Sequence, residues 1–335
     1  MKFWIDIVNS PHVHFFKPLM EKLIAQGHDV QVTAREFAQT TSLLDKYKIP
    51  FTLIGAHAGP NLTRKIADVF SRAIQLHMFA RKYHFDKALT FNSPSMVVAA
   101  RLLNIPSTVF MDYEYQPLNH LTFRFAHTVV TPVHFPRKSI ARFGAMKKTV
   151  TYNGLKEQVY LSSYQPNQNF LPSIGIEPKN IIVTVRPPAT MALYHRFENT
   201  FFYDVVRLLL EHENVFVIAI PRVLEQRQIL KSFKSERLMI PDSALDGRDL
   251  VYYSDLVISA GGTMTREAAV MGTPAYTVFR GRIGAVDRYL IGLGRIVPIM
   301  CKDDVENIRV AKTDKKEVLS NTSVNVTILH YILQA

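Results

Sequence analysis

The chain has 335 residues, 47% hydrophobic and 20% charged, with 14 Gly and 18 Pro, which suits two ordinary globular domains and excludes a disordered or fibrous chain. Forty basic residues against 28 acidic give a formal charge of +12, favouring anionic partners such as nucleotides, phosphorylated sugars, nucleic acid or acidic lipid without choosing among them. A single cysteine, Cys301, excludes an internal disulfide framework and a cysteine zinc cluster, and predicts a reducing, cytoplasmic setting.

The opening run KFWIDIV reads as a strand. It meets Asp6, Asn9 and Pro11 too early for the apolar region of a signal peptide, and no window holds the roughly 18 uninterrupted apolar residues of a membrane span. HFFKPLMEKLIAQG has helical spacing and a glycine stop, and HDVQVTA is a second strand, so the chain opens as a βαβ unit. The alternation continues through a helix in ADVFSRAIQLHMFARKY, a strand in KALTF, a helix in PSMVVAARLLN, and strands in STVFM and TVVTP. From Tyr152 to about Lys179 the pattern loosens into a polar stretch rich in Asn, Gln, Ser and Pro, which predicts a linker. The alternation then restarts: NIIVTVRP (strand), FFYDVVRLLLEHEN (helix), VFVIAIP (strand), DLVISAGG (strand and turn), MTREAAVMG (helix) and PAYTVF (strand). The expected organisation is an α/β fold with domains over 1–155 and 172–317, and a final helical segment, 318–335, that packs back on the first. Strands alternating with helices predict two doubly wound parallel sheets facing a cleft, where ligands of open α/β sheets bind.

The segment SAGGTMTREAAVMGTPAY, Ser259 to Tyr276, carries the most chemistry. A strand followed by a glycine loop and a helix presents free N–H groups to an anion. Gly261 and Gly262 let a phosphate approach the backbone, Ser259, Thr263 and Thr265 offer hydroxyls, and Glu267 can accept from two ribose hydroxyls. A tight turn capped by Thr with an ordinary acid behind it explains the same spacing equally well.

The extended stretch SDLVISAGGTMTREAAVMGTPAYTVF resembles the nucleotide-sugar motif in the C-terminal half of GT-B glycosyltransferases. The likeness is to the lipid-linked UDP-GlcNAc transferase of peptidoglycan synthesis and to the non-hydrolysing UDP-GlcNAc 2-epimerases. These families share a small-residue glycine loop, an acid one turn later, and G-x-P before the next strand. The whole chain resembles the family called domain of unknown function 354, placed among GT-B-like proteins with two Rossmann-like domains. The resemblance implies that Ser259, Gly261, Gly262, Thr263 and Thr265 hold a diphosphate and Glu267 a ribose, with Gly272 and Pro274 structural. It implies further that Arg186, in IVTVRPPAT, stands where the epimerases carry a His-Arg pair on the diphosphate.

In the first half, NSPHVHFFKPL fills the loop that faces the acceptor in GT-B transferases, which brings Asn9, Ser10, His12 and His14 forward. The two histidines would act as base or phosphate donors; a helix-capping loop with Ser10 as the cap is the plain alternative. Asp112 and Glu114 follow an Ile-Pro strand like the one after which the epimerases place a catalytic Glu, and either would take a proton from an acceptor hydroxyl, unless both are solvated loop acids. Asn92 and Ser93 would line the same cleft. The chain has Asn92-Ser93 where the epimerases have Asp, and Val185 where they have His, which favours transfer over epimerisation.

The expected function is therefore metal-independent glycosyl transfer from a nucleotide-diphosphate sugar to an unknown acceptor, with no cofactor. The same scaffold would also suit a nucleotide-sugar 2-epimerase or hydrolase, or a non-catalytic nucleotide-binding protein. The basic and apolar residues of LTRKIADVFSRAIQLHMFARKYHF add an expected peripheral association with an anionic membrane surface at its inner face. Nucleic acid is not the expected partner, because no recognised binding motif accompanies the charge.

Overall fold

Strands buried on both faces need continuous apolar runs, and the runs above become the inner strands of a computed structural model that describes residues 1–37, 39–56, 62–188, 201–243, 245–301, 303–313 and 317–334. Its contacts divide the chain into two units, one formed by 1–162, 284–286 and 321–335, the other by 163–283 and 287–320.

The first unit begins β1 (Lys2–Ile7), α1 (Ser10–Ala25), β2 (Asp29–Glu36), α2 (Thr40–Lys46), β3 (Thr52–Ala56) and α3 (Leu62–Ala80). It continues β4 (Lys87–Thr90), α4 (Pro94–Leu102), β5 (Ser107–Phe110), α5 (Asn119–Phe125), β6 (Thr128–Pro132), α6 (Arg137–Arg142), β7 (Thr149–Tyr152) and α7 (Lys156–Leu161). Its seven strands are parallel and ordered β3-β2-β1-β4-β5-β6-β7. The order reverses between β1 and β4, so the loops after these two strands flank a topological switch point. Right-handed crossovers put α3 to α6 on one face of the sheet and α1 on the other; α3 packs on α4 and α4 on α5, while α1 packs on α2 and α7.

A charged pair lies behind β1 in this core. Asp6 of β1 receives both arms of the Arg72 guanidinium, at 2.7 and 2.8 Å, and the Thr33 hydroxyl at 2.7 Å. Burial alone would raise the Asp6 carboxyl, but Arg72 and the hydrogen bonds from Arg72, Ser93 and Thr33 hold it below the ordinary value.

The second unit contains α8 (Phe170–Ser173), β8 (Ile181–Arg186), α9 (Phe201–Glu211), β9 (Val215–Ala219), α10 (Leu224–Lys231), β10 (Leu238–Met239) and α11 (Gly247–Tyr253). Then come β11 (Leu256–Ser259), α12 (Thr263–Met271), β12 (Ala275–Thr277), α13 (Ala285–Gly292), whose first two residues belong to the first unit, and β13 (Ile296–Pro298). The sheet is again parallel, ordered β10-β9-β8-β11-β12-β13, with its switch point between β8 and β11. Asp255, just before β11, accepts the N–H groups of Ile182 and Thr313 and the Lys312 ammonium, so it ties the returning chain to the sheet.

The last helix, α14 (Ser323–Gln334), belongs to the first unit. It packs on β7 and α7. Lys87, at the start of β4, donates to the carbonyls of Ile332 and Leu333 at 3.0 and 2.9 Å and so caps the helix end. Asn325 donates to the Val159 carbonyl at 2.8 Å. The division between the units falls within the polar stretch after Tyr152: α7 buries Val159 and Leu161 in the first unit, and α8 buries Phe170 and Leu171 in the second.

Candidate functional site

In the second unit the chemistry gathers at the switch point. Arg186, the last residue of β8, is in register with Ser259, the last residue of β11, so guanidinium and glycine loop leave the carboxyl edge of adjacent strands side by side. The loop reaches α12 through Gly262, whose φ of 95° and ψ of −164° belong to a region that only glycine enters readily. No side chain caps α12, and its first turn holds no acid; the N–H groups there are oriented for an anion. A Cβ placed on Gly262 would have nothing within 4 Å, leaving the approach to the loop open.

Around this loop the polar groups are buried. Ser259 donates to the Gly261 carbonyl at 3.3 Å. Thr265 is buried, and its Oγ1 has no hydrogen-bond partner among the described residues; the same holds for Nε of Arg186. Burial draws the Arg186 guanidinium below its ordinary value while the Glu267 carboxylate pulls it back up. Glu267, in the second turn of α12, is therefore close enough for its charge to be felt at Arg186. Its neighbour Arg266 points elsewhere, into a two-pronged pair with Asp287 at 2.7 and 2.9 Å.

The far end of α12 is locked. Gly272 has φ 78°, and a Cβ there would lie 2.5 Å from the Glu317 carbonyl oxygen, so glycine is required by packing as well as by conformation. Val185, one residue before Arg186, is fully buried in the apolar core of this unit.

In the first unit the loop after β1 becomes the start of α1, with Asn9 as N-cap accepting the Ser10 N–H at 2.9 Å. The Ser10 hydroxyl accepts the Gln39 N–H at 3.1 Å. The capping reading of this loop therefore describes Asn9 and Ser10. His12 and His14, already on α1, take different surroundings. His14 packs between Tyr47 and Tyr160, at ring distances of 5.8 and 5.6 Å. His12 lies 5.0 Å from the Phe91 ring, and its Nδ1 is sealed from solvent with no hydrogen-bond partner among the described residues. Burial, with Lys156 next, pushes its pKa down to about 3, so the ring is neutral at physiological pH.

Lys156 is the centre of this cluster, and sequence reasoning did not single it out. Its ammonium sits 5.1 Å over the Phe91 ring, 2.9 Å from Asp112 and 3.4 Å from Glu157, and all three ionic groups are buried. Asp112 is thus an ion-paired buried carboxylate. Glu114 is buried too, its two oxygens accepting the Ala285 N–H at 3.0 and 3.1 Å; Ala285 lies in the 284–286 segment of the same unit. Asn92, at φ 59°, accepts from the Thr122 hydroxyl at 2.6 Å and donates to Asn119 at 3.0 Å. Ser93 caps α4 by accepting the Met96 N–H and also receives Arg72. Both side chains at this loop therefore have structural partners, and neither position carries an ionisable group.

Two doubly wound units, each presenting polar and charged groups at the switch point of its sheet, define a GT-B-like α/β protein. The chain belongs to the family described as protein of unknown function (DUF354), whose model matches residues 1–330. It is 27% identical over 300 residues to uncharacterized protein MJ0665 of Methanocaldococcus jannaschii, covering 88% of this chain and 86% of that one. Among solved structures it is similar to the Methanocaldococcus jannaschii UDP-GlcNAc 2-epimerase in complex with UDP-GlcNAc and UDP, at 12% identity and a TM-score of 0.75 over all of both chains. It is also similar to Acinetobacter baumannii MurG, at 15% identity and a TM-score of 0.55, again over all of both chains.

Proposed function

We propose that the protein is a glycosyltransferase whose second unit holds a nucleotide-diphosphate sugar. The observation that carries this reading is the pairing of Arg186 with the Ser259–Gly262 loop in register on adjacent strands, with Arg186 Nε and Thr265 Oγ1 buried and without hydrogen-bond partners among the described residues. Polar groups buried in this way gain most from an anion that arrives to accept their hydrogen bonds. The diphosphate would sit on the N–H groups of α12 and against Arg186, with the ribose hydroxyls on Glu267. As the sugar–diphosphate bond breaks, the departing oxygen gains charge that Arg186 and the helix start stabilise. The first unit would hold the acceptor. Its hydroxyl proton would pass to Asp112 or Glu114, with Lys156 fixing Asp112 in place and neutral His12 as a hydrogen-bond partner to the acceptor; His14, between its two tyrosines, is a weaker candidate for the base. The structures with UDP-sugar ligands among the similar folds support a nucleotide sugar as the donor class.

Epimerisation on the same scaffold is the rival. The chain offers it Val185, packed in the core, and the structurally engaged Asn92 and Ser93 at the positions where its acid–base groups were expected. Thermal shift and calorimetry with UDP, GDP, CMP and dTDP sugars test the binding step. A ligand at about 100 times its Kd should stabilise by roughly 2.7 kcal/mol, and Glu267→Gln should weaken nucleoside diphosphate binding by about 1.5–3 kcal/mol per hydrogen bond lost. If none of these ligands binds, the reading is wrong. Rapid formation of free nucleotide or of an epimer with no acceptor present would assign the rival chemistry.

A further inference from the structure

A second charged surface lies in the first unit, at the opposite edge of its sheet from His12, Asp112 and Lys156. In a parallel α/β unit the helices run against the strands, so helix C-termini and strand N-termini share one edge. Here α4 ends at Arg101-Leu102, α5 at Arg124-Phe125 and α6 at Arg142, and Met146-Lys147-Lys148 leads into β7. From residue 87 to 156 the chain has nine Lys and Arg against two acids, Asp112 and Glu114. Both acids are buried, so this stretch contributes no exposed acidic side chain. Of the acids that flank it, Asp86 is exposed and accepts the Lys2 N–H at 2.6 Å, and Glu157 is buried.

Part of this charge has a structural use. Arg124 donates to the Arg142 carbonyl, and Lys148 to the carbonyls of Arg124 and Ala126, at 3.0, 2.6 and 2.7 Å, which satisfies the ends of α5 and α6. Arg101 and Lys147 make no such bond among the described residues and are exposed. The cations are also crowded: after burial, Arg101 is what lowers Lys148, and Arg124 and Arg142 lower His120. Among them stand exposed apolar side chains, Leu102 at 65%, Phe125 at 49% and Met146 at 42%, beside a depression of about 370 Å³ lined by Ala141, Gly144, Met146, Lys147 and Lys148. The helix α3 ends on the same edge at Arg81-Lys82, with Phe70, Ile74 and Met78 exposed along it. The side chains of Leu62–Ile66, which the sequence reading included in this surface, lie outside the described residues.

We propose that this amino edge docks on a bilayer containing anionic lipid. Cations alone would suit a phosphate backbone as well, but exposed Leu, Met and Phe between them gain only where an apolar layer lies beneath the headgroups. No described helix is long and apolar enough to cross a membrane, so the association is peripheral. It places the membrane contact on helix ends rather than along α3 alone, and it is independent of what the second unit binds.

Flotation of the full chain tests this, with vesicles of phosphatidylcholine alone and of phosphatidylcholine mixed with phosphatidylglycerol, at low and high salt. The wild type should float with the mixed vesicles at low salt and lose most of that binding at high salt. Each cation near an anionic surface is worth about fivefold in partition, so Arg101→Glu with Lys147→Glu should lower partition at least ~25-fold while leaving the circular dichroism spectrum and Tm unchanged. Phe125→Ser should lower partition yet keep its salt dependence. Equal flotation with neutral and anionic vesicles overturns the proposal, as does binding that both variants retain. A single-stranded oligonucleotide that binds with sensitivity to the double reversal, while vesicles do not bind, would reassign the edge to nucleic acid. A dimer that the same reversal dissociates, again without vesicle binding, would reassign it to a second copy of the chain.

Discussion

Replacing Gly262 by Ala separates a phosphate loop from a mere turn. The backbone at φ 95° and ψ −164° costs a residue other than glycine on the order of 1–3 kcal/mol. The added methyl meets nothing within 4 Å, so this strain is the whole cost in the empty protein. At roughly 2–4 °C per kcal/mol, Tm should fall by about 2–12 °C. The open space that makes the methyl tolerable is also where a phosphate would approach the N–H groups of α12. Affinity for inorganic diphosphate and for the nucleoside diphosphate should therefore fall at least ~10-fold, about 1.4 kcal/mol, by titration calorimetry on the folded fraction. The control is Gly272→Ala at the other end of the same helix. Its methyl would lie 2.5 Å from the Glu317 carbonyl oxygen, so it should destabilise the protein strongly while the folded molecules bind diphosphate normally. If Gly262→Ala lowers Tm but binds diphosphate as well as the wild type, the backbone of this loop does not hold phosphate.

Arg186→Gln should lower diphosphate affinity by about 1.5–3 kcal/mol, the usual worth of a hydrogen bond to a charged group, measured by the same calorimetry. Lys156→Met leaves the carboxylates of Asp112 and Glu157 buried without their cation and should cost roughly 3–5 kcal/mol of stability in urea unfolding. For His12, a pKa of about 3 in the folded protein means that the unfolded chain takes up a proton first as pH falls, so stability is full above about pH 6.5 and is lost below it. At pH 5 that loss is about 2 kcal/mol; His12→Gln should remove this part of the pH dependence, and an unchanged slope between pH 7 and pH 5 would show that His12 is solvated.

Periodicity made the framework readable because parallel strands buried on both faces are apolar nearly throughout, as in IIVTV of β8 and LVI of β11. The glycine loop was readable for another reason: a tight strand-to-helix turn and a close approach to the backbone both require glycine, and both occur at Gly261–Gly262. Short or mixed elements were not legible. Two-residue β10 and the seven-residue helices α5 and α11 are too brief for a period to show. The cluster around Lys156 was hidden for a different reason, since YNGLKEQ looks like a solvated connection. It is the packing of α7 on α1 and α14, with Phe91 and Asp112 against Lys156, that buries its Lys and Glu. Asn92 and Ser93 likewise look free in sequence, because the donors they meet, Thr122 and Arg72, are distant along the chain.

The return of α14 to the first unit has a consequence for biosynthesis. Residues 163–283 and 287–320 make up the second unit, so nearly all of it leaves the ribosome before Val324, Asn325 and Ile328, the buried face that covers β7 and α7. The unit translated first is thus completed last. Until α14 arrives, Lys87 lacks the Ile332 and Leu333 carbonyls it holds in the finished protein, and the apolar surface meant for α14 stays uncovered. A chain truncated after residue 320 and released should therefore present a finished second unit and an incomplete first one, and chaperone binding and proteolysis should concentrate on β7 and α7.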